Sequence, residues 1–293
     1  MTEFFQIFLD GLTTGTVYAA LALALSVVFQ GTGMLNFAQG ELAVVAAFIA
    51  FTMLSTGISP WLAILIAVAA SAVIGALVHV LVVRWADTRN EGVLMAMGVA
   101  LLLGISALAG IIWGTDPRSY PSPFGSGLIE FAGLRLTYQQ AGGALLVVVA
   151  MGLTALLFQK TPIGLRLRAV AQNAPSAALL GLSAPVWLAL GWAIAGAVGA
   201  VAGVVAAPTL GLSPSMMNFP LLMALAAATL GGLTSRVGAV VGGLLIGVVT
   251  AFAGRYIPFL GGDLNIVVAF VLIVIVLLVK PGGLFGKERM VRA

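Results

Sequence analysis

One stretch of the sequence decides how the rest is interpreted: residues 34–41, which read MLNFAQGE. It places three polar side chains, Asn36, Gln39 and Glu41, between the apolar runs Val17–Phe29 and Leu42–Leu54. Polar groups at membrane depth cost free energy unless they are paired or line a wet cavity. We therefore interpret the stretch either as the junction of two membrane spans or as a break in a helix beside a pathway.

The composition is that of a helical protein embedded in a membrane. Of the 293 residues, 61% are hydrophobic and only 8% are charged, and the mean hydropathy is +1.18. A soluble domain carries about 25% charged residues, and no soluble fold could cover this much apolar surface. The alternating short segments of a membrane β-barrel are absent. The sequence predicts an all-α polytopic membrane protein with one transmembrane domain over residues 1–293.

Nine apolar segments are candidate spans, for which about 20 residues are needed, so we expect about eight or nine transmembrane or re-entrant helices. The segments are Phe8–Phe29, Met34–Leu54, Trp61–Val83, Gly92–Trp113, Ala141–Phe158, Pro185–Ala207, Phe219–Leu233, Val237–Ala253 and Leu264–Val279. The seventh is short and contains Gly231 and Gly232. Prolines precede it, and both features favour a broken or re-entrant element.

The positions of Lys and Arg predict the orientation, because short cytoplasmic loops are enriched in them. With the C-terminus in the cytoplasm and the N-terminus outside, only Arg118, Arg135 and Arg255 of the 13 Lys and Arg lie outside. The inner ones are Arg84, Arg89, Lys160, Arg166, Arg168, Arg236, Lys280, Lys287, Arg289 and Arg292.

Two loops are long enough to form structure of their own. In the outer, periplasmic loop 114–140, the segments 128–131 and 134–136 predict a short β-hairpin or a surface helix, as a solvated connector or an external docking surface. The inner, cytoplasmic loop 160–183 predicts two short helices, the second closed by Gly181. Neither is long enough to be stable alone, so they either dock on a partner or lie on anionic lipid.

Small residues and paired breaks indicate how the helices are arranged. Glycines four residues apart, at Gly199–Gly203, Gly238–Gly242 and Gly243–Gly247, predict close helix packing. Polar breaks at Asn36–Glu41 and Thr229–Ser235 hint at two halves, since such pairs often flank a transport site at an inverted repeat. Residue identity does not demonstrate the repeat.

The sequence lacks the residues of catalysis or metal binding. It has no Cys and a single His, His79, so we expect no catalytic residue, no metal site and no cofactor on this chain. Only Glu41 and Asp10 are deep ionisable groups, fewer than a proton- or sodium-coupled transporter needs. The chain is predicted to admit a substrate without supplying the energy. Glu41 either faces the pathway or is an interfacial carboxylate at a helix start.

Four motifs together resemble one family. They are NFAQGE at 36–41, TPIGLRLRA at 161–169, LGGL at 230–233 leading into the Gly238–Gly247 run, and KPGGLFG at 280–286. The sequence resembles the permease subunits of branched-chain (hydrophobic) amino acid ABC importers across nearly its whole length. That family typically has His where this chain has Gln39, which removes a titratable group.

The resemblance implies a bacterial inner-membrane permease that works with partners. These are a second permease (identical or different), two ATPase subunits that bind ATP and Mg²⁺, and a periplasmic or extracellular substrate-binding protein, besides membrane lipid; no nucleic acid is expected. The implied translocation pathway comprises Asn36, Phe37, Gln39, Gly40, Glu41, Thr229, Gly231 and Gly232. The implied ATPase-coupling residues are Thr161, Gly164, Arg166, Arg168, Asn173, Ala177, Ala178 and Gly181.

Two alternatives stay open on the sequence. The first is a urea or amide permease of the same family, since such members share these motifs. The second is a stand-alone channel or facilitator for a small neutral solute such as urea or glycerol. A channel has no need of the loop 161–181. The presence of that loop therefore distinguishes an ABC permease, whatever its substrate, from a stand-alone channel.

Overall fold

The computed structural model describes residues 2–86, 90–257, 259 and 264–286. All nine segments predicted as spans lie within these ranges. Four of the basic residues used to predict the orientation, Arg89, Lys287, Arg289 and Arg292, lie outside them.

The fold is an all-α membrane bundle with one small hairpin. Its helices are α1 (Thr2–Thr32), α2 (Gln39–Ser55), α3 (Pro60–Leu81), α4 (Glu91–Trp113), α5 (Tyr138–Lys160), α6 (Pro162–Gln172), α7 (Ala174–Leu179), α8 (Ala184–Leu210), α9 (Asn218–Gly231), α10 (Arg236–Tyr256) and α11 (Asn265–Val279). The strands β1 (Leu128–Phe131) and β2 (Leu134–Thr137) pair antiparallel. Within the described ranges, six helices are long and apolar enough to cross a membrane, and α2, α9 and α11 are shorter apolar helices.

A helix lies at each of the nine segments predicted as spans. The start predicted for the second segment was wrong, because the helix there begins at Gln39 and not at Met34. Residues 35 and 36 belong to no regular element, and the amides of Phe37 and Gln39 bond back to carbonyls only two or three residues away. The outer loop forms the hairpin and not a surface helix, and the inner loop forms the two short helices α6 and α7.

Two ends of the bundle can be told apart by the contacts between elements. At the hairpin side, the Gln6 side chain near the start of α1 bonds to the backbone of Arg135 in β2, and Arg255 at the end of α10 pairs with Glu3. The opposite end is the α7 side. There, the end of α1 meets the start of α8, where Gly31 lies against Leu188.

The helices α1–α4 and α8–α11 form two similar halves that run in opposite directions. Each half has a long helix, a short helix of 17 or 14 residues, a helix of 22 or 21 residues, and a last apolar helix. The packing follows the same correspondence between the halves. The first helix of each half packs most extensively on the third helix of the other: α1 on α10, and α8 on α3. The described helices therefore have the inverted arrangement at which the paired polar breaks hinted.

Close backbone contact holds both of these helix pairs together. A Cβ on Gly247 of α10 would lie 2.3 Å from the Cα of Gly15 in α1. A Cβ on Gly196 of α8 would lie 2.4 Å from the carbonyl oxygen of Ser71 in α3. Small residues allow this approach, which in lipid replaces the hydrophobic drive between helices with direct packing.

The two short helices begin side by side inside the bundle. Gly40, at the start of α2, lies against Met217 and Leu221, at the start of α9. Gln39 and Met217 are both fully buried. Each short helix follows a chain reversal, at residues 33–38 and 211–217, so two helix N-termini with their partial positive charge meet in the interior.

Candidate functional site

The polar break before α2 is held by a chain of buried hydrogen bonds. Asn36 Nδ2 donates to Gln39 Oε1 at 3.0 Å, and Gln39 Nε2 donates to the carbonyl oxygen of Ala195 in α8 at 3.0 Å. Both side chains are 0% exposed. Gly199 provides the space, since a Cβ there would lie 2.4 Å from Gln39 Nε2. Gln39 therefore ties the start of α2 to the middle of α8.

Two buried acceptor atoms in this break have no donor among the described residues. Glu41 is 1% exposed, and its carboxyl interacts with the side chain of Ser106 in α4. Within the part of the chain that the structure describes, Glu41 Oε2 and Asn36 Oδ1 make no hydrogen bond. An unsatisfied buried acceptor costs about 1–3 kcal/mol, more when it is charged. These two oxygens therefore lack a donor among the described residues while they are also out of contact with solvent.

An apolar cavity of about 250 Å³ adjoins the break. Phe37 lines it from the break and packs on Gly98 of α4, where a Cβ would lie 2.9 Å from the ring. The other lining residues are Phe29, Gly33, Met34, Leu35, Leu94 and Met95. Among the helices, α4 packs chiefly on α2, and much of its side-chain surface is exposed, including Leu103 and Ile111.

The second group of predicted pathway residues divides between a cavity and a packed junction. Thr229 lines a larger cavity of about 780 Å³ towards the α7 side, which shares Phe29 and Gly33 with the first cavity. The carbonyl of Gly231 instead accepts a hydrogen bond of 2.9 Å from the amide of Phe285. Gly232 packs against the backbone of residues 282–286, so both glycines hold the C-terminal segment.

The structure thus brings Phe37 and Thr229 to two cavities that share Phe29 and Gly33 in their linings. Asn36, Gln39, Gly40 and Glu41 do not line either cavity. Sequence reasoning missed Phe29 and Ser106. Phe29 is one apolar residue at the end of an apolar run, and no residue near Ser106 in the sequence indicates that it reaches the break.

The helix α6 is firmly attached to the membrane helices. Thr161 caps it by accepting a bond from the Gly164 amide, and Gly164 lies so close to α5 that a Cβ would be 2.4 Å from the Cα of Phe158. The guanidinium of Arg166 lies 5.6 Å from the ring of Trp187 in α8. Arg168 Nε donates to the carbonyl of Gly164. Gly164 and Arg166 therefore connect α6 to α5 and α8, whereas the Arg168 bond lies within α6.

The helix α7 projects an apolar pair from the α7 side. Asn173 Oδ1 accepts from the Ser176 amide and caps the helix, while Ala177 is buried and Ala178 is exposed. The chain turns at Gly181, whose φ is +79°. Leu179 and Leu180 are 89% and 79% exposed. Sequence reasoning passed over this pair, although two adjacent leucines before a helix-ending glycine are an available signal.

The sequence matches the family described as "Branched-chain amino acid transport system / permease component" over residues 7–277. The chain belongs to this family. It is a multi-pass membrane permease subunit of a transport system, and the family match supports this reading over a stand-alone channel.

Curated relatives cover almost the whole chain. The High-affinity branched-chain amino acid transport system permease protein LivH of Salmonella typhimurium is 29% identical over 98% of this chain and 97% of its own length. The permease protein BraD of Pseudomonas aeruginosa is 30% identical over the same shares. The Fructose import permease protein FruF of Bifidobacterium longum is 26% identical over 89% of this chain and 73% of its own length.

A solved structure, PsaBC from Streptococcus pneumoniae in complex with Fab, has a TM-score of 0.48 at 11% identity, over 93% of this chain and 91% of that one.

The predicted family and the membrane-embedded helical fold are confirmed by the family match. Among the described residues there is no group of three or more His, Asp or Glu side chains that could hold a metal ion.

Proposed function

We propose that this permease subunit forms the translocation pathway of an ATP-driven importer for branched-chain or other hydrophobic amino acids in the bacterial inner membrane. The names of the relatives LivH and BraD support this substrate class, and the name of FruF shows that a related permease is associated with a sugar. The chemistry of the site therefore has to distinguish an amino acid from a sugar.

The unpaired acceptors beside an apolar cavity are the observation that favours an amino acid. Within the described residues, Glu41 Oε2 and Asn36 Oδ1 lack donors, and an ammonium group supplies three. The adjoining cavity of about 250 Å³ is lined by apolar side chains, which suits an aliphatic substrate side chain. A sugar would leave its hydroxyls unpaired there, at a cost in free energy.

The predicted pathway residues have two roles in this proposal. Phe37 and Thr229 contact the passing substrate. Asn36, Gln39, Gly40 and Glu41 form the polar junction at the start of α2, and a small displacement of α2 against α4 opens it to the cavity. Gly231 and Gly232 hold the end of α9 beside the larger cavity.

The loop 160–183 is the cytoplasmic coupling element in this proposal, and the loop 114–140 lies in the periplasm. Leu179 and Leu180 fit a groove on an ATPase subunit, since exposed apolar side chains in water mark contact sites. Because α6 is attached to α5 and α8, movement of the ATPases would be passed to both helices. ATP and Mg²⁺ bind to the two partner ATPases, a second permease completes the pathway, and a binding protein delivers the substrate.

Changing the exposed leucines tests the coupling. The double variant Leu179→Asp plus Leu180→Asp should fold normally but lose co-purification with the ATPase and leucine-stimulated ATP hydrolysis. The variant Phe131→Asp, at the exposed tip of the hairpin on the opposite side, is the matched control. The pair is preferable to Arg166 and Arg168, whose side chains also make contacts within the chain.

Transport by the reconstituted complex tests the substrate class. Leucine, isoleucine and valine should compete for uptake, whereas urea, simple amides and fructose should not. Uptake of urea or an amide in place of leucine would favour the alternative substrate class. Passage of solute through the purified chain without ATP would contradict the importer itself.

A further inference from the structure

A groove runs along the surface between α5 and α10; it shares Gln30 and Thr234 with the larger cavity and no lining residue with the smaller one. The helix α5 packs on α1 and α8, and α10 packs on α1 and α9, so α1 forms the floor between them. The groove encloses about 530 Å³. Its end at the α7 side carries polar side chains, from Gln30, Gln159, Thr234, Ser235 and Arg236. Deeper in the membrane it is apolar, with Leu23, Val148, Met151, Val240 and Val241.

Arg236 brings to the polar end a positive charge that forms no ion pair with any described residue. The ion pairs among the described residues are Arg135 with Glu130 and Arg255 with Glu3, so none involves Arg236. Its guanidinium lies 4.1 Å from the ring of Phe158, and its buried Nε has no hydrogen-bond partner in the described part of the chain.

The surroundings of Arg236 add positive potential. Arg168 of α6 adds a second positive charge, which repels that of Arg236. Arg236 is also the first residue of α10, where the helix dipole is positive. An anion at the end of the groove would offset the repulsion between the two arginines.

We propose that this groove binds an anionic phospholipid from the membrane leaflet on the α7 side. The phosphate lies at Arg236, with hydrogen bonds from Gln159 and Gln30, and one acyl chain follows the apolar residues along α5 and α10. Basic pockets between membrane helices recognise anionic headgroups in this way. The groove is open at its edges, where Val148 and Val237 are 50% and 59% exposed. This inference does not depend on the proposed substrate.

Lipid binding to the purified full-length chain tests the proposal. The chain is stripped of lipid in detergent and titrated with phosphatidylglycerol or with phosphatidylcholine, and bound lipid is counted by native mass spectrometry. Phosphatidylglycerol should be retained preferentially. Arg236→Gln should weaken its retention about fivefold, the equivalent of one basic contact at a membrane surface.

Three further variants keep the test decisive. Arg236→Lys keeps the charge and should retain part of the preference. Val241→Trp keeps every charge but obstructs the acyl chain, so it should also lose phosphatidylglycerol. Arg84→Gln removes an exposed arginine from the same side of the bundle, where it lies over Trp85, and should leave binding unchanged.

Several results would overturn the proposal. Equal retention by Arg236→Gln and the unchanged chain would show that the anion does not lie at this residue. Displacement of the lipid by leucine would assign the groove to the transport pathway. Equal displacement by inorganic phosphate would show that only a free anion is recognised, without the acyl chain.

Discussion

At the scale of single residues, Gln39 makes more buried hydrogen bonds than the other polar side chains of the break. It accepts from Asn36 and donates to the carbonyl of Ala195, and all of this lies out of contact with solvent. Leucine in its place fills a similar volume but makes neither bond. Because Asn36 then keeps a buried donor without an acceptor, Gln39→Leu should destabilise the fold by about 1–3 kcal/mol. Thermal unfolding in detergent measures this loss.

The control for this prediction is Gln39→His. A neutral imidazole can accept at one ring nitrogen and donate at the other, so it can replace both bonds. We expect the His variant to unfold close to the unchanged chain and the Leu variant well below it. If the two variants are equally stable, the hydrogen bonds do not fix the start of α2.

The sequence identified these residues but not their surroundings. Three polar side chains in an apolar run were enough to indicate a break near Asn36, and the structure has one. Nothing local indicated that Gln39 reaches Ala195, because that contact joins residues 156 positions apart. The same reason hid the interaction of Glu41 with Ser106, which belongs to another helix.

At the scale of elements, the contact between α1 and α10 depends on the absence of side chains. A Cβ on Gly247 would meet backbone atoms of Gly15 and Gly11 at 2.3–2.5 Å, and backbone cannot move aside cheaply. We therefore expect Gly247→Ala to separate the two helices and to cost about 1–3 kcal/mol or more. The unfolding temperature and the yield of folded protein are the measurements.

Gly104 is the matched control, because it lies within α4 and a Cβ there would meet nothing within 4 Å. Gly104→Ala should be neutral or stabilising by up to about 1 kcal/mol, through helix propensity alone. A loss of stability at Gly104 equal to that at Gly247 would mean that glycine acts through something other than close packing.

The elements themselves could be predicted well, because each is a local pattern. The lengths of the apolar runs indicated the nine membrane segments. Pro162, Asn173 and Gly181 mark in the sequence where α6 and α7 begin and end. Which helices pack together could not be predicted, since Gly-xxx-Gly spacing marks a surface for close contact without identifying the partner. The exposure of Leu179 and Leu180 likewise became visible only when α7 was placed.

At the scale of the whole molecule, the two inverted halves explain why the short helices meet. Residue identity between the halves is too weak to show them, because packing in lipid constrains the sizes of side chains more than their identities. The lengths and packing partners of the helices do show the correspondence between the halves. The contact of α1 with α10 corresponds to that of α8 with α3, and the contact of α2 with α3 corresponds to that of α9 with α10. The N-termini of α2 and α9 adjoin as a result, next to the polar break.

The orientation of the molecule in the membrane is the prediction on which the coupling proposal depends. The hairpin and α7 lie at opposite ends of the bundle, and the distribution of Lys and Arg predicts that the α7 side is cytoplasmic. The chain has no Cys, so a single introduced Cys can be labelled without background. Phe131 and Leu179 are 77% and 89% exposed, which allows either position to be replaced without disturbing the core.

A membrane-impermeant maleimide should label Phe131→Cys in cells whose inner membrane is intact, and Leu179→Cys only after that membrane is opened. Leu103→Cys is the control for burial in lipid, because its side chain is exposed on the membrane-embedded helix α4 and a thiol needs water to react. The reverse pattern would place α6 and α7 outside the cell, away from ATP. The leucine pair could then not contact an ATPase, whatever the family of the chain.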